Sequence, residues 1–336
     1  MKPCPFWNQR AVLITGATGL LGSRLVVALA GRGAHVHVLM RPQGSRTGAW
    51  DGVSPVLVKG DVQEGARLRG VLAAHAIETV FHLAAQSIVG LAQAEPVPTL
   101  EANIRGTWNV LEACRLTPSV GRLLVASTDK AYGEQPGIPF HEETPLQALH
   151  PYAASKACAD ILARTYAHTY ALPVCVTRCA NLYGPGDLNF SRIIPSTIRA
   201  VLRNERPVLR SDGRMKRDYL YVQDAVLACL ELAERAQEDR CRGQAFNFTS
   251  EEPLTTLDVV RRVLAAAGRP DLEPLVGGAV EGEIQDTVLS AERARRILAW
   301  QPRFSMAEAL NETVAWYRNR LASDEERSRT LPTGSD

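Results

Sequence analysis

No run of this 336-residue chain is apolar for long enough to span a bilayer. The first ten residues hold no apolar signal core. The apolar stretch 11–21 is broken by Gly16 and Gly19 and reads as a strand and a turn. A cytoplasmic protein is the expectation. Cysteine is sparse and unpatterned: Cys4, Cys114, Cys158, Cys175, Cys179, Cys229 and Cys241 include no C-x-x-C pair. That excludes a disulfide scaffold or zinc ribbon and predicts buried free thiols in a reducing compartment. Excess charge is missing too, with 38 basic against 36 acidic residues and a net charge of +2. Nothing global draws the chain to nucleic acid or to a membrane. No group of residues has metal-ligand spacing, and His141 and His150 sit in a loop with no chemical role expected. Internal repeats and low-complexity segments are absent.

What the chain has is alternation. Short apolar, β-branched runs at 11–14, 35–39, 56–58, 79–83, 123–127, 174–178 and 245–249 predict strands. Helical patterns at 20–30, 66–75, 97–116, 151–170 and 222–235 fall between them. Such an order predicts an α/β fold, a Rossmann-type doubly wound parallel sheet with helices on both faces. After residue 178 the rhythm changes. Residues 181–192 are rich in Gly, Pro and Asn and read as a loop, 193–203 as a helix, 210–217 as a charged turn and 218–222 as a short strand. Helices follow at 257–267, 291–298 and 306–321, with Gly277, Gly278 and Gly282 marking a loop. We therefore expect a nucleotide-binding domain over 1–180, rejoined by 223–250. A smaller C-terminal substrate lobe takes 181–222 and 251–321, and 322–336 is a polar, disordered tail.

Gly16-Ala17-Thr18-Gly19-Leu20-Leu21-Gly22 joins the first strand to the first helix. Glycines allow a tight turn and a close backbone approach to a pyrophosphate, and the helix start favours an anion. Halfway along, Tyr152-Ala153-Ala154-Ser155-Lys156 opens a helix. A phenol has a pKa of about 10 in water. A lysine four residues later lies one turn away on the same face, and an ammonium there favours the phenolate. A dinucleotide site with such a proton relay points to hydride-transfer chemistry.

The G-x-x-G-x-x-G spacing resembles the extended branch of the short-chain dehydrogenase/reductase family, and the likeness runs from about 11 to about 321. The resemblance implies a cofactor site at Gly16, Thr18, Gly19, Leu20, Leu21 and Gly22. It implies Asp61 and Val62 beside the adenine, and Leu83, Ala84 and Ala85 along the dinucleotide, with Tyr152 and Lys156 at the nicotinamide. The cofactor is NAD or NADP, tightly bound and regenerated in each cycle. The second strand ends in Arg41 with no acid nearby. Arg41 suits a 2′-phosphate, an adenine face, or open solvent.

The resemblance also gives a catalytic set of Thr128, Tyr152 and Lys156. Asp129 and Lys130 follow Thr128 directly. A nucleotide-sugar 4-epimerase needs no further acid and base, whereas a 4,6-dehydratase must also take the C5 proton and expel the C6 hydroxyl. dTDP-glucose dehydratases typically carry Asp-Glu here. Asp-Lys resembles the CDP-glucose 4,6-dehydratases, as do Arg178-Cys179-Ala180-Asn181-Leu182-Tyr183-Gly184 and Arg217-Asp218-Tyr219-Leu220-Tyr221-Val222. Residues 83–90 also resemble GDP-mannose 4,6-dehydratases, so the base stays open.

The implied activity is conversion of a nucleotide hexose to its 4-keto-6-deoxy form. Tyr152 accepts the O4 proton, Lys130 the C5 proton, and Asp129 protonates the departing C6 hydroxyl. Neighbours on a strand face opposite ways, so Asp129 and Lys130 reach one sugar only if the chain leaves strand geometry there. A solvated ion pair at a strand end is the alternative reading of the two. Gln86, Ser87, Asn181, Arg192 and Arg217 are the implied substrate contacts, and helices 97–116 and 151–170 the implied homodimer interface. A 4-epimerase and a catalytically silent dinucleotide-binding regulator are the other readings.

Overall fold

The structure, a computed structural model, describes residues 4–41, 50, 52–135, 139–278 and 286–330. Gly282 and residues 331–336 lie outside these. In chain order the first elements are β1 (Ala11–Thr15), α1 (Leu20–Ala30), β2 (His35–Met40), β3 (Val56–Lys59), α2 (Gly65–Ala74) and β4 (Thr79–His82). Next come α3 (Val89–Ala94), α4 (Pro96–Leu100), a π-helical turn (Glu101–Arg105), α5 (Gly106–Arg115) and β5 (Arg122–Thr128). A 3-10 turn (Asp129–Tyr132), α6 (Pro151–Tyr170) and β6 (Val174–Cys179) complete this half.

The second half holds β7 (Asn181–Tyr183), α7 (Ile193–Leu202), β8 (Val208–Leu209), β9 (Lys216–Arg217), β10 (Tyr219–Tyr221) and α8 (Val222–Glu234). It ends with β11 (Ala245–Phe248), β12 (Leu254–Thr255), α9 (Thr256–Ala266), β13 (Leu275–Val276), α10 (Glu292–Leu298) and α11 (Met306–Thr330).

Seven strands form one sheet in the order β11-β6-β5-β4-β1-β2-β3, and every pairing is parallel. The period-two pattern assigns the faces. Val12 and Ile14 pack with Leu25, Val26 and Leu29 of α1 and with α8. Leu13 between them packs on the other face with Leu68 and Leu72 of α2 and Leu111 of α5. A sheet buried on both sides needs largely apolar strands; β1 is one, while β4 and β6 also bury Thr79, His82, Thr177 and Arg178. β1 and β4 are neighbours from which the chain winds outward in opposite directions. Their carboxyl ends form the crevice where such folds bind ligands.

Several local expectations change. The helix expected over 97–116 is interrupted by the π-helical turn, where Gly106 lies against Val62; a Cβ at Gly106 would stand 2.7 Å from its Cγ2. The 181–192 loop begins as strand β7, paired in parallel with β10, and the charged turn ends as β9. Val89–Ala94 is an extra helix. α11 runs past Leu321 to Thr330, because Ala, Glu and Arg keep helix propensity after the apolar period stops. All seven cysteines are unpaired, and Cys158 on α6 is exposed rather than buried. No described helix is long and apolar enough to cross a membrane. No cluster of metal-ligating side chains occurs among the described residues.

Candidate active site

A cleft of about 1250 Å³ opens at the carboxyl ends of β1 and β4. The glycine turn forms its floor. Gly16 has φ +73°, and a Cβ there would lie 2.7 Å from the Ala84 nitrogen, so the turn approaches β4 closely. A Cβ at Gly22 would lie 2.2 Å from the Gly16 carbonyl, so α1 packs directly on the turn. Gly19 differs: its Cβ would meet only the Gly16 carbonyl, at an ordinary 3.4 Å. The protein's own packing leaves space at Gly19, and that space faces the cleft. No side chain caps the start of α1, and Leu20, Leu21 and Gly22 line the cleft. Uncapped N–H groups beside a bare backbone suit an anion, and the pyrophosphate of a dinucleotide fits.

Thr18, Arg41, Asp61, Val62, Leu83, Ala84 and Ala85 also line the cleft. The Asp61 carboxylate accepts the Gln63 N–H at 2.9 Å and so shapes its own turn. β2 contains no acid and ends at Met40, with Arg41 next in the chain.

The residues expected to handle protons come from β5, the 3-10 turn and α6. Thr128 ends β5 as the N-cap of the 3-10 turn. The chain therefore leaves strand geometry at Asp129, and Lys130 turns into the cleft. Thr128 Oγ1 donates to Asp129 Oδ1 at 2.8 Å, and Lys130 Nζ lies 3.4 Å from the same oxygen. Lys130 Nζ also donates to Asn181 Oδ1 at 2.9 Å. Thr128, Lys130, Tyr152 and Lys156 line the cleft; Asp129 does not. Its side chain is 1% exposed against 29% for Lys130, and its Oδ2 has no hydrogen-bond partner. The pair is thus a buried carboxylate behind a cleft-facing ammonium, unlike an exposed ion pair.

The charge environment of the phenol differs from the simple helix argument. Burial pushes Tyr152 up to about 12 and the charge of Asp129 adds to the rise, while Arg192 and a hydrogen bond with Thr128 oppose it. Burial pulls Lys156 down to about 8 against the charge of Asp160. The Lys156 ammonium donates one of its protons to the Ala126 carbonyl. Desolvation is the largest influence on the phenol, and the cation that opposes it is Arg192 rather than Lys156. Cys179, at the end of β6, also lines the cleft, with its thiol pushed up to about 12 by burial.

Two buried networks hold this arrangement. Arg178 grips Asp160 of α6 through two hydrogen bonds of 2.8 and 2.9 Å, both side chains fully buried. Breaking such a pair costs about 3–5 kcal/mol, so β6 and α6 are tied together one turn beyond Lys156. Asn103, in the π-helical turn, accepts the Gln86 N–H at 2.7 Å and donates to the Gln86 carbonyl and to Ser155 Oγ at 3.0 and 2.9 Å. Ser155 Oγ donates to the Tyr152 carbonyl at 2.7 Å. The loop after β4 and the first turn of α6 are thereby locked together. Sequence reasoning missed Asn103 and Ser155; the available signal was an asparagine inside a helix, three residues before a glycine.

The expected substrate contacts divide. Gln86, Ser87, Asn181 and Arg192 line the cleft, and Arg217 does not. Arg217 donates to the Lys216 carbonyl and Met215 Sδ. The Gln86 carboxamide closes its own loop, donating to the Ile88 carbonyl and Thr99 Oγ1 and accepting the Ile88 N–H. Asn181 bridges Lys130 and the Asp218 carbonyl. Arg192 pairs with Asp187 at 3.0 Å.

Comparison with known proteins matches this geometry to a family. The model of the NAD dependent epimerase/dehydratase family matches residues 12–247. The chain is 31% identical over 314 residues to a UDP-glucose 4-epimerase of Mycolicibacterium smegmatis, covering 92% of this chain and 98% of that one. It is equally 31% identical, over 321 residues, to a dTDP-glucose 4,6-dehydratase of the same organism, covering 91% and 93%. Among solved structures, the dTDP-glucose 4,6-dehydratase DesIV of Streptomyces venezuelae, with NAD and TYD bound, superposes with a TM-score of 0.84 at 29% identity, covering 93% of this chain and 98% of that one. A doubly wound sheet with its cleft at the switch point, joined to a family model spanning most of the chain, makes this protein a member of the NAD dependent epimerase/dehydratase family.

Proposed function

We propose that this chain is a nucleotide-sugar 4,6-dehydratase using NAD, converting a nucleoside-diphosphate hexose to the 4-keto-6-deoxy form. The observation that carries the reading is Lys130, an amine turned into the cleft beside a buried carboxylate, in addition to Thr128, Tyr152 and Lys156. Inversion at C4 needs no such second pair. NAD held over the glycine turn would supply the hydride acceptor for C4 and the hydride donor for C6. Tyr152 takes the O4 proton, with Thr128 aligning the hydroxyl. The new ketone acidifies C5–H, and Lys130 removes that proton and returns one to C5 once hydride has reached C6. Asp129 supplies the proton that leaves with the C6 hydroxyl; Thr128 Oγ1, bonded to it and facing the cleft, is the path. A dry cleft favours the neutral pair that these roles require over two separated charges.

The equal identity to a 4-epimerase supports a second reading, inversion at C4 on the same scaffold. Incubation with CDP-, GDP-, dTDP- and UDP-hexoses separates them by mass spectrometry. The dehydratase gives a product lighter by one water, and an epimerase gives no change in mass.

The reading includes a homodimer in the cytoplasm. Val97, Trp108 and Ile161 are 65%, 43% and 53% exposed on the adjacent helices α4, α5 and α6. Large apolar side chains exposed on neighbouring helices are costly to leave in water. Light scattering is expected to give twice the chain mass, and Ile161→Glu is expected to shift it to one. A wild-type monomer contradicts the dimer and leaves the chemistry untouched.

A further inference from the structure

We propose that Arg210 reads the nucleobase of the substrate and selects bases that present two adjacent hydrogen-bond acceptors, cytosine or guanine, over uracil and thymine. The inference rests on the nucleotide-sugar reading above.

Arg210 lines the cleft while Arg217, the arginine of the longer motif, does not. It is exposed, and its guanidinium has no hydrogen bond or ion pair among the described residues. Its backbone, in contrast, is fixed. Arg210 follows β8, which pairs in parallel with β13. The Gly277 N–H donates to the Leu209 carbonyl at 2.9 Å. Gly277 lies so close over Arg210 that a Cβ there would stand 2.4 Å from the Arg210 carbonyl. A rigid strand end therefore presents an uncommitted guanidinium to the cleft.

Position assigns the moiety it meets. The sugar end is set by Tyr152 and Lys130. Arg192 stands close enough to act on Tyr152 and leads into α7, whose first residues line the cleft without a side-chain cap. A guanidinium and a ten-residue helix start suit the diphosphate. The chain then runs the length of α7, turns at 203–207 and returns along β8 to the same cleft at Arg210. With sugar and diphosphate placed, the nucleoside remains for Arg210.

The guanidinium is a planar fork of parallel donors with no acceptor. Guanine O6 and N7 form a matching pair of adjacent acceptors, as do cytosine O2 and N3. Uracil and thymine place an N3–H donor between their two carbonyls, so the fork meets one acceptor at a time.

Calorimetric titration of the NAD-saturated protein with CDP, GDP, UDP and dTDP tests this. CDP or GDP is expected to bind about 10-fold or more tighter than UDP and dTDP, in line with the discrimination of one bidentate pair. Arg210→Ala is expected to abolish that preference with NAD binding retained as the control for folding. Arg210→Lys, which keeps the charge without the fork, is expected to behave like the alanine variant in base preference. Equal binding of all four by wild type overturns the proposal, and so does a preference that survives in Arg210→Ala or Arg210→Lys. Failure of all four to bind while NAD binds removes the nucleotide-sugar reading and this proposal with it.

Discussion

Tyr152→Phe is expected to lower turnover by roughly 10²- to 10⁴-fold, the range for loss of a positioned proton-transfer group. NAD binding is expected to persist, because the cofactor cradle is built from Gly16, Gly19 and the start of α1. Only the hydroxyl is removed, and the ring still fills its place. The phenol is pushed up to about 12 by burial and by Asp129, so its basic form is a minority at neutral pH. That fraction grows about tenfold for each pH unit below the pKa. Steady-state rates of wild type are therefore expected to climb with pH through the neutral range, and the climb is expected to vanish in Tyr152→Phe. Full activity in the variant would remove Tyr152 from the chemistry.

Lys130→Ala separates the two reaction classes. In a dehydratase it is expected to slow loss of water by roughly 10²- to 10⁴-fold. In heavy water the wild-type product is expected to carry deuterium at C5, and in the variant that label is expected to appear only at the slowed rate of water loss. An epimerase never opens C5, so there the substitution would only release Asn181 from its 2.9 Å contact. With Lys130 gone, Asp129 keeps Thr128 as its partner while its Oδ2 is still unpartnered. Unimpaired dehydration in Lys130→Ala would contradict the assignment.

The cofactor half was the more legible part. Its signals are local: glycines at fixed spacing, apolar runs of strand length, and a tyrosine and lysine one helical turn apart. Steric rules turn each into a position, and β1, α1 and α6 lie where those rules place them. The departure from strand geometry at Asp129 was also readable, since adjacent residues cannot otherwise share a face.

What stayed hidden depends on contacts far apart in sequence. Asn103 reaches Gln86 and Ser155, 17 and 52 residues away, and no local pattern announces that. Gln86 carries the right chemistry for a sugar contact, but its carboxamide is consumed by a turn two residues long. Asp129 and Lys130 are equivalent as letters, yet one is buried beneath Thr128 and the other lines the cleft. Arg217, expected at the substrate, does not line the cleft and sits in β9, which pairs with β12, while Arg210, for which no role was expected, follows β8 into the cleft. For Tyr152 the helix spacing leaves out desolvation, invisible in a string of residues, which pushes the phenol up, and the cation that opposes it is Arg192.

Tracing the C4 hydrogen tests the elimination chemistry most directly. A nucleotide hexose deuterated at C4 is incubated with the wild-type protein, and the product is read by mass spectrometry and NMR. The account predicts a product lighter by one water with the deuterium at C6. A product of unchanged mass with the deuterium still at C4 would contradict it.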